Sequence, residues 1–297
     1  METFTNKVDF AVIIMVNNAN PNGDPLNGNR PRETYDGYGD PLNGNRPRMN
    51  MDGYGEISDV CIKRKIRNRL QDMGEKIFVQ SEERADDGWE SLSDRAKNNE
   101  KLKKALKEKD REQYRQAACE EWIDVRAFGQ VFGFNDQKGM SEGIRGPVSI
   151  QSAFSVCPVM IDSMQITKSV NGAGKGKASD TMGMKHKVTS AMYVAKGSIN
   201  HQLAQKTGFT DEDAEKIKEA LRTLFVNDAS AARPDGSMEV CKVYWWRHNC
   251  PMGQYSSAKV HRSLKISANT ELPKCFEDYS ITVEALDGLE PEVIEGV

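Results

Sequence analysis

Nine residues near the N-terminus, "VDFAVIIMV" (8–16), constrain the fold more than any other stretch. Strand alternation places Val8, Phe10, Val12, Ile14 and Val16 on one face, and Ala11, Ile13 and Met15 on most of the other. A strand apolar on both faces belongs inside a sheet that is covered on both sides. A chain of 297 residues is long enough to build such a sheet into one large domain, or into a core carrying insertions. No apolar run approaches the roughly 20 residues of a membrane span. The start, "METFTNKVDF", lacks the charged-then-apolar form of a secretory signal. With 29% charged residues and a mean hydropathy of −0.65, the expectation is a cytoplasmic protein without membrane contact.

The strand runs into "NNANPNGD" and then into a segment written twice, "GDPLNGNRPRETYDGY" (23–38) and "GDPLNGNRPRMNMDGY" (39–54). Each copy is shorter than a solenoid repeat and has too few bulky residues to bury a face. Gly-Asp-Pro, Asn-Gly and Asp-Gly are turn chemistry, so residues 23–54 are expected to be surface loop. Loop closure entropy grows by only about 0.6 kcal/mol per doubling of length, so a fold can tolerate the second copy.

Beyond the loop, "SDVCIKRKIRNRLQDMG" predicts a helix capped by Ser58 or Asp59 and ended by Gly74, with Ile62, Ile66, Leu70 and Met73 on its inner stripe. Lys63, Arg64 and Arg67 fall on one flank and the back, Lys65 and Arg69 on the other flank. Five bases in seven residues, behind a Gly-rich loop, point to anion binding. The chain's formal charge is −3, yet Glu277–Val297 carries seven acids and no base, so residues 1–276 are net basic.

Residues 81–122 are densely charged with mixed sign and sparse apolar positions, the pattern of a helical insertion lying outside the main sheet. "WIDVRAFGQVFGF" reads as strand or buried turn, and "VSIQSAF" as a strand. Between two apolar flanks, residues 163–187 hold Lys168, Lys175, Lys177, Lys185 and Lys187 against the single acid Asp180, suggesting two strands joined by a long basic excursion. "GAGKGKAS" fails the phosphate-loop pattern, since Asn171 stands where its first glycine is required and Ala178 follows Lys177. Thr210 caps a helix whose buried stripe is Ala214, Ile217, Ala220, Leu221 and Leu224. "SMEVCKVYWWRHN" and "KVHRSLKI" read as strands, and "YSITVEAL" as the strand closing the sheet. The element order fits an α+β domain of ferredoxin-like type. The six cysteines lack a CxxC and read as reduced thiols. Cys241, His248, Cys250 and His261 fit no standard zinc spacing, so no metal is expected.

Several stretches together resemble one family: "NNANPNGDPLNGNRPR" with "DGYGEISDVCIKRKIRNRLQ", then "DVRAFGQVF", "IRGPVSIQ", "MQITKSV", "SDTMGMKHKV" and "TGFTDEDAEKIKEAL". The combination is similar to the Cascade backbone subunit of type I-C CRISPR systems, within the RAMP superfamily of crRNA-binding filament proteins. The likeness covers nearly the whole chain. It implies an α+β hand: a modified RNA-recognition-motif (ferredoxin-like) palm over 1–74, 123–162 and 191–297, a helical fingers insertion over 75–122, and a β-hairpin thumb over 163–190. It further implies bacterial antiviral defence, with copies polymerising along crRNA. The other implied partners are target DNA reached through the guide and the 5'-handle-binding, large and small subunits.

A guide must keep its base edges free, so its protein should hold the backbone through Lys, Arg, Asn and main-chain N–H groups. The expected RNA contacts are Asn17, Asn20 and Asn22 before the loop, and Lys63, Arg64 and Arg67 on the helix. Arg126, Gln130, Ser149 and Gln151 join them from the matching motifs, and Lys168, Met182, Met184, Lys185 and His186 from the thumb. Met182 and Met184 could act as apolar wedges or pack between subunits. The doubled loop departs from the family pattern of one copy and reads as a tandem duplication extruded at the surface, which puts Arg30, Arg32, Arg46 and Arg48 in question as contacts. No cofactor and no catalysis are expected. Two competing readings are a metal-dependent ribonuclease using Asp24 or Asp40, for which no second carboxylate or base is evident, and a standalone single-strand-binding module.

Overall fold

The computed structural model describes residues 3–22, 47–133, 141–167 and 182–297. Along the chain run β1 (Val8–Ala19), β2 (Tyr54–Ile57), α1 (Asp59–Asp72), α2 (Leu92–Asn98), α3 (Glu100–Glu108), α4 (Arg111–Glu121), α5 (Ile123–Phe128), β3 (Gly129–Phe132), β4 (Glu142–Arg145), β5 (Val148–Ile150), β6 (Ala153–Pro158) and β7 (Ile161–Thr167). They are followed by β8 (Met182–Ile199), α6 (His201–Thr207), α7 (Asp211–Arg222), β9 (Met238–Arg247), α8 (Ser257–Ser263), β10 (Leu264–Ala268), β11 (Tyr279–Val283) and β12 (Glu292–Glu295). Among the described residues no helix is long and apolar enough to cross a membrane.

The class is α+β, organised by a large antiparallel sheet. Among the described residues its order is β12-β9-β1-β8-β6-β2, with β5 and β7 also pairing with β8. The doubly apolar strand β1 lies between β8 and β9, and Val8–Val16 are buried without exception. One face packs Phe10, Val12 and Ile14 against Ile62, Ile66 and Leu70 of α1 and Ile217 and Leu221 of α7. The other packs Ala11, Ile13 and Met15 with Trp246 beneath Val260 of α8 and Leu264 and Tyr279 of the β10–β11 pair.

Local chemistry explains the helix ends. Ser58 caps α1, its hydroxyl accepting from the Cys61 N–H at 3.3 Å. Thr210 and Asp213 form a reciprocal capping box on α7. Three stretches take other shapes than their sequence pattern suggests. "WIDVRAF" is helix α5, stopped at Gly129 with φ +79°, where a Cβ would lie 2.2 Å from the Ile144 carbonyl oxygen. "KVHRS" belongs to helix α8, because Ser256 accepts from the Lys259 N–H and caps it. Strand β11 pairs with β10 in a separate two-stranded sheet, and β12 takes the outer edge of the main one. "VSIQSAF" divides into β5 and β6, both on β8.

Helices α2–α4 enclose their own core of Phe78, Leu102, Tyr114, Trp122 and Phe132, with Phe78 against Trp122 at 4.7 Å and against Phe132 at 5.0 Å. Strand β8 outruns β1. Pairing with β1 ends at Ala19↔Val188, while β7 pairs with β8 from Ile161↔Val188 to Thr167↔Met182. At about 3.3 Å per residue this two-stranded arm extends roughly 20 Å past the end of β1.

A buried polar cluster ties the start of β1 to the far layer. Asp9 Oδ2 accepts from His248 Nε2 at 2.9 Å and meets Lys7 Nζ at 3.1 Å. The Gln254 N–H donates to His248 Nδ1 at 3.0 Å, which places the ring proton on Nε2, toward Asp9. Burial pushes the Asp9 pKa up, but hydrogen bonds from His248 and Ser257 and the Lys7 charge outweigh it and hold it below 3.8. A depressed carboxylate contributes stability above its unfolded pKa and loses it as pH falls through the folded value. Asp9→Asn should therefore flatten the acid limb of the stability curve below about pH 4, read as thermal midpoints across an acid titration.

Candidate nucleic-acid interface

The five bases of α1 are each engaged within the chain. Lys63 pairs with Asp59 one turn back at 3.2 Å. Arg64 Nη1 donates to the Val79 carbonyl at 2.6 Å. Lys65 is buried, ion-paired with Asp228 and set over the Phe225 ring. Arg67 Nε donates to Asp124 Oδ2 at 2.9 Å, with its guanidinium 5.1 Å from the Phe128 ring centre. Arg69 donates to Thr223 Oγ1 at 2.9 Å and meets Asp72 at 3.2 Å. The basic run thus clamps α1 to its neighbours. Lys63, at the helix start, has the loosest tether: a partly exposed i,i+4 pair of the kind worth about 0.3–0.5 kcal/mol.

The asparagines gather where β1 ends. The Asn17 carboxamide lies between Ser190 and the Lys274 carbonyl, and with its nitrogen turned toward them it donates to Ser190 Oγ at 2.9 Å. Asn18 takes φ +54° and is exposed. Asn20 is buried, its N–H donating to the Ala232 carbonyl at 2.9 Å. Asn22 Oδ1 accepts from both the N–H and the hydroxyl of Ser58, at 3.1 and 3.0 Å, fastening the loop entrance to the cap of α1. Of the doubled segment, the structure describes the tail of the second copy. Pro47 is buried, Arg48 pairs with Glu56 at 3.0 Å, the Asn50 side chain accepts from the N–H groups of Asp52 and Tyr54, and Tyr54 begins β2. Residues 47–54 are therefore built into the fold rather than looped off it. Asp24, Asp40, Arg30, Arg32, Arg46 and Lys168 lie outside the described residues.

Arg126 is a clamp. Its guanidinium donates to both Asp213 oxygens at 2.8 and 2.7 Å and to the Cys119 carbonyl at 2.6 Å, joining α5 to α7 and α4. Burial works against the Arg126 charge, but Asp213 more than compensates and raises its pKa. Gln130 sits on β3, its amide donating to the Val131 carbonyl at 3.0 Å. On the arm, Met182 opens β8 and Met184 is 49% exposed. Alternation sends Lys185 to the opposite face from Met184 and His186, and His186 is buried with Nδ1 2.8 Å from Ser163 Oγ. Ser149 and Gln151 are exposed on and just after β5. Beside them stand Phe154, 44% exposed on β6, and half-buried Lys196 of β8. Neither is among the contacts expected from sequence, where "VSIQSAF" reads simply as a strand. The available signal was one charge at an alternate position inside the apolar run "MYVAKGSI".

His248 and His261 are committed to Asp9 and to the Gly197 carbonyl, and burial, then nearby Glu239, pushes the Cys241 thiol up to about 12. Among the described residues no group of three or more His, Cys, Asp or Glu side chains is arranged to hold a metal ion.

Against known proteins, the pattern of the family described as CRISPR-associated protein Cas7 matches residues 37–284. No curated protein matches the chain. The fold is similar to a chain of a solved "CRISPR RNA-guided surveillance complex, pre-nicking", at 16% identity and TM-score 0.45, covering 84% of this chain and 81% of that one. A chain of a "CRISPR RNA-guided surveillance complex" is similar at 15% identity and TM-score 0.43, covering 83% of this chain and 72% of that one.

Proposed function

The chain belongs to the CRISPR-associated protein Cas7 family, and on that footing we propose that it is the non-catalytic crRNA-binding backbone subunit of a type I-C surveillance complex. The observation that carries this reading is the family match over residues 37–284, which takes in the chain from β2 to β11, with the helical insertion and the arm, and leaves β1 and β12 outside it. The type I-C assignment rests on the motifs from "NNANPNGD" to "TGFTDEDAEKIKEAL". In this reading the large sheet is the palm, α2–α4 are the fingers and the β7–β8 arm is the thumb. Copies follow one another along the guide RNA, gripping its backbone and leaving its bases to pair with target DNA. The 5'-handle-binding, large and small subunits complete the particle.

Purification from cells that supply a CRISPR array and the companion subunits tests the reading. Guide RNA of uniform length, with several-fold protein excess, is expected. No RNA, or a random mixture, overturns it. Complementary RNA offered to that complex with magnesium should stay intact. Cleavage that disappears in Asp24→Ala or Asp40→Ala would restore the ribonuclease reading. Deleting residues 39–54 should leave assembly unchanged, because the first copy then supplies Pro31, Arg32 and Tyr38 in place of Pro47, Arg48 and Tyr54. Size-exclusion profiles of the two complexes decide this.

A further inference from the structure

We propose that Lys196, with Ser149, Gln151 and Phe154 on the same sheet face, seats one phosphodiester of single-stranded guide RNA together with its base. The inference deepens the guide-binding reading and rests on it.

Register places these side chains together. Ser149 opposes Ser198, the Gln151 N–H donates to the Lys196 carbonyl at 2.8 Å, and Phe154 opposes Val194. Directly opposed residues share a face, as do residues two apart on one strand. In the row running along β8, Met192 is core and Val194 packs partly against it. Lys196 stands where a third apolar side chain would continue that packing. Among the described residues no carboxylate pairs with its ammonium. Its charged neighbour is Lys265, itself 3.6 Å from the exposed Glu284. The next ring along, His261, is held by the Gly197 carbonyl at 3.0 Å.

Burial, and then Lys265, lower the Lys196 pKa. The fold therefore disfavours the charge at this position, and nothing described within the chain neutralises it. An anion from outside would. On one face, each no more than about 7–8 Å from Lys196, stand a hydroxyl and a carboxamide to orient a phosphate held by the ammonium, and an exposed ring for the attached base. A carboxylate from an acidic segment of a second copy would satisfy Lys196 but would leave the Phe154 ring unused, so the nucleic acid is favoured.

The test uses the full chain and a fluorescent single-stranded RNA carrying the guide sequence. Lys196→Met keeps the aliphatic stem and removes the charge. It should weaken binding several-fold and lower the slope of log K against log salt by about 0.7, one phosphate on a single strand. Its thermal midpoint should hold or rise, because an unfavourable charge is gone. Lys196→Arg should restore the slope. Phe154→Ala should weaken binding about fivefold or more with the slope unchanged, and ultraviolet cross-linking of the wild type should mark the peptide containing Phe154. Wild type that binds RNA while Lys196→Met keeps affinity and slope overturns this inference and leaves the guide-binding reading standing. Wild type that binds no RNA removes both. Normal RNA affinity in Lys196→Met with lost self-association would assign the patch to a second copy and overturn the RNA seat.

Discussion

Asp124→Ala is expected to destabilise the protein by about 3–5 kcal/mol. The carboxylate is fully buried and serves three donors: the N–H groups of Phe78 and Val79, at 2.7 and 3.1 Å, and Arg67 Nε at 2.9 Å. It thereby joins α1, the irregular segment after it and α5 at one point. Removing it strands a buried Phe78 N–H and leaves a guanidinium on the Phe128 ring without its counter-charge. Unpaired buried donors and charges incur their full desolvation cost, which exceeds the net worth of the bonds they made. Asp124→Asn should fall between wild type and alanine, since one amide oxygen replaces two carboxylate oxygens. Denaturant unfolding gives the magnitude. Hydrogen exchange should show residues 77–80 opening first, because two of their amides lose the acceptor. An Asp124→Ala protein as stable as wild type, with those amides still protected, would refute the keystone role.

Arg126→Ala should cost about 3 kcal/mol, for a related reason. Asp213 is buried and already accepts the Thr210 N–H at 2.9 Å as half of the capping box. Without Arg126 it becomes an uncompensated charge at the start of α7, and the Cys119 carbonyl loses its donor. Arg126→Lys should recover part of the loss, because an ammonium keeps the charge but cannot make the two parallel bonds. The same variant separates structural from RNA-contacting arginines. If Arg126 acts only as a clamp, the folded fraction of Arg126→Ala binds guide RNA with the wild-type salt slope. A slope lowered by about 0.7 would place the side chain on a phosphate.

Much of the framework was legible in the chain. The apolar pattern of residues 8–16 determined a strand buried on both faces, and β1 lies inside the sheet. Ser58 and Thr210 marked the starts of α1 and α7, and the flanks of the basic excursion pair as β7 and β8. Each of these is a local signal, decided by side-chain periodicity or by a hydroxyl three residues from the N–H that it caps. The destinations of the charges were not local. Arg67 meets Asp124 across 57 residues, Arg126 meets Asp213 across 87, and Lys65 meets Asp228 across 163. Five bases in seven residues with no acid among them read as an anion site in the sequence, and the tertiary structure brings Asp124 to Arg67 and Asp228 to Lys65. The converse holds for Lys196 and Phe154, which sit in an apolar run and a strand pattern yet emerge together at a sheet face. Sequence by itself determined β1 and the capped helices α1 and α7, because those signals lie between neighbours along the chain, but not α5 or α8, whose residues carry a strand-like pattern. Only the tertiary structure decided which charges pair within the fold, because ion pairing depends on distances of about 3 Å between residues that the sequence keeps far apart.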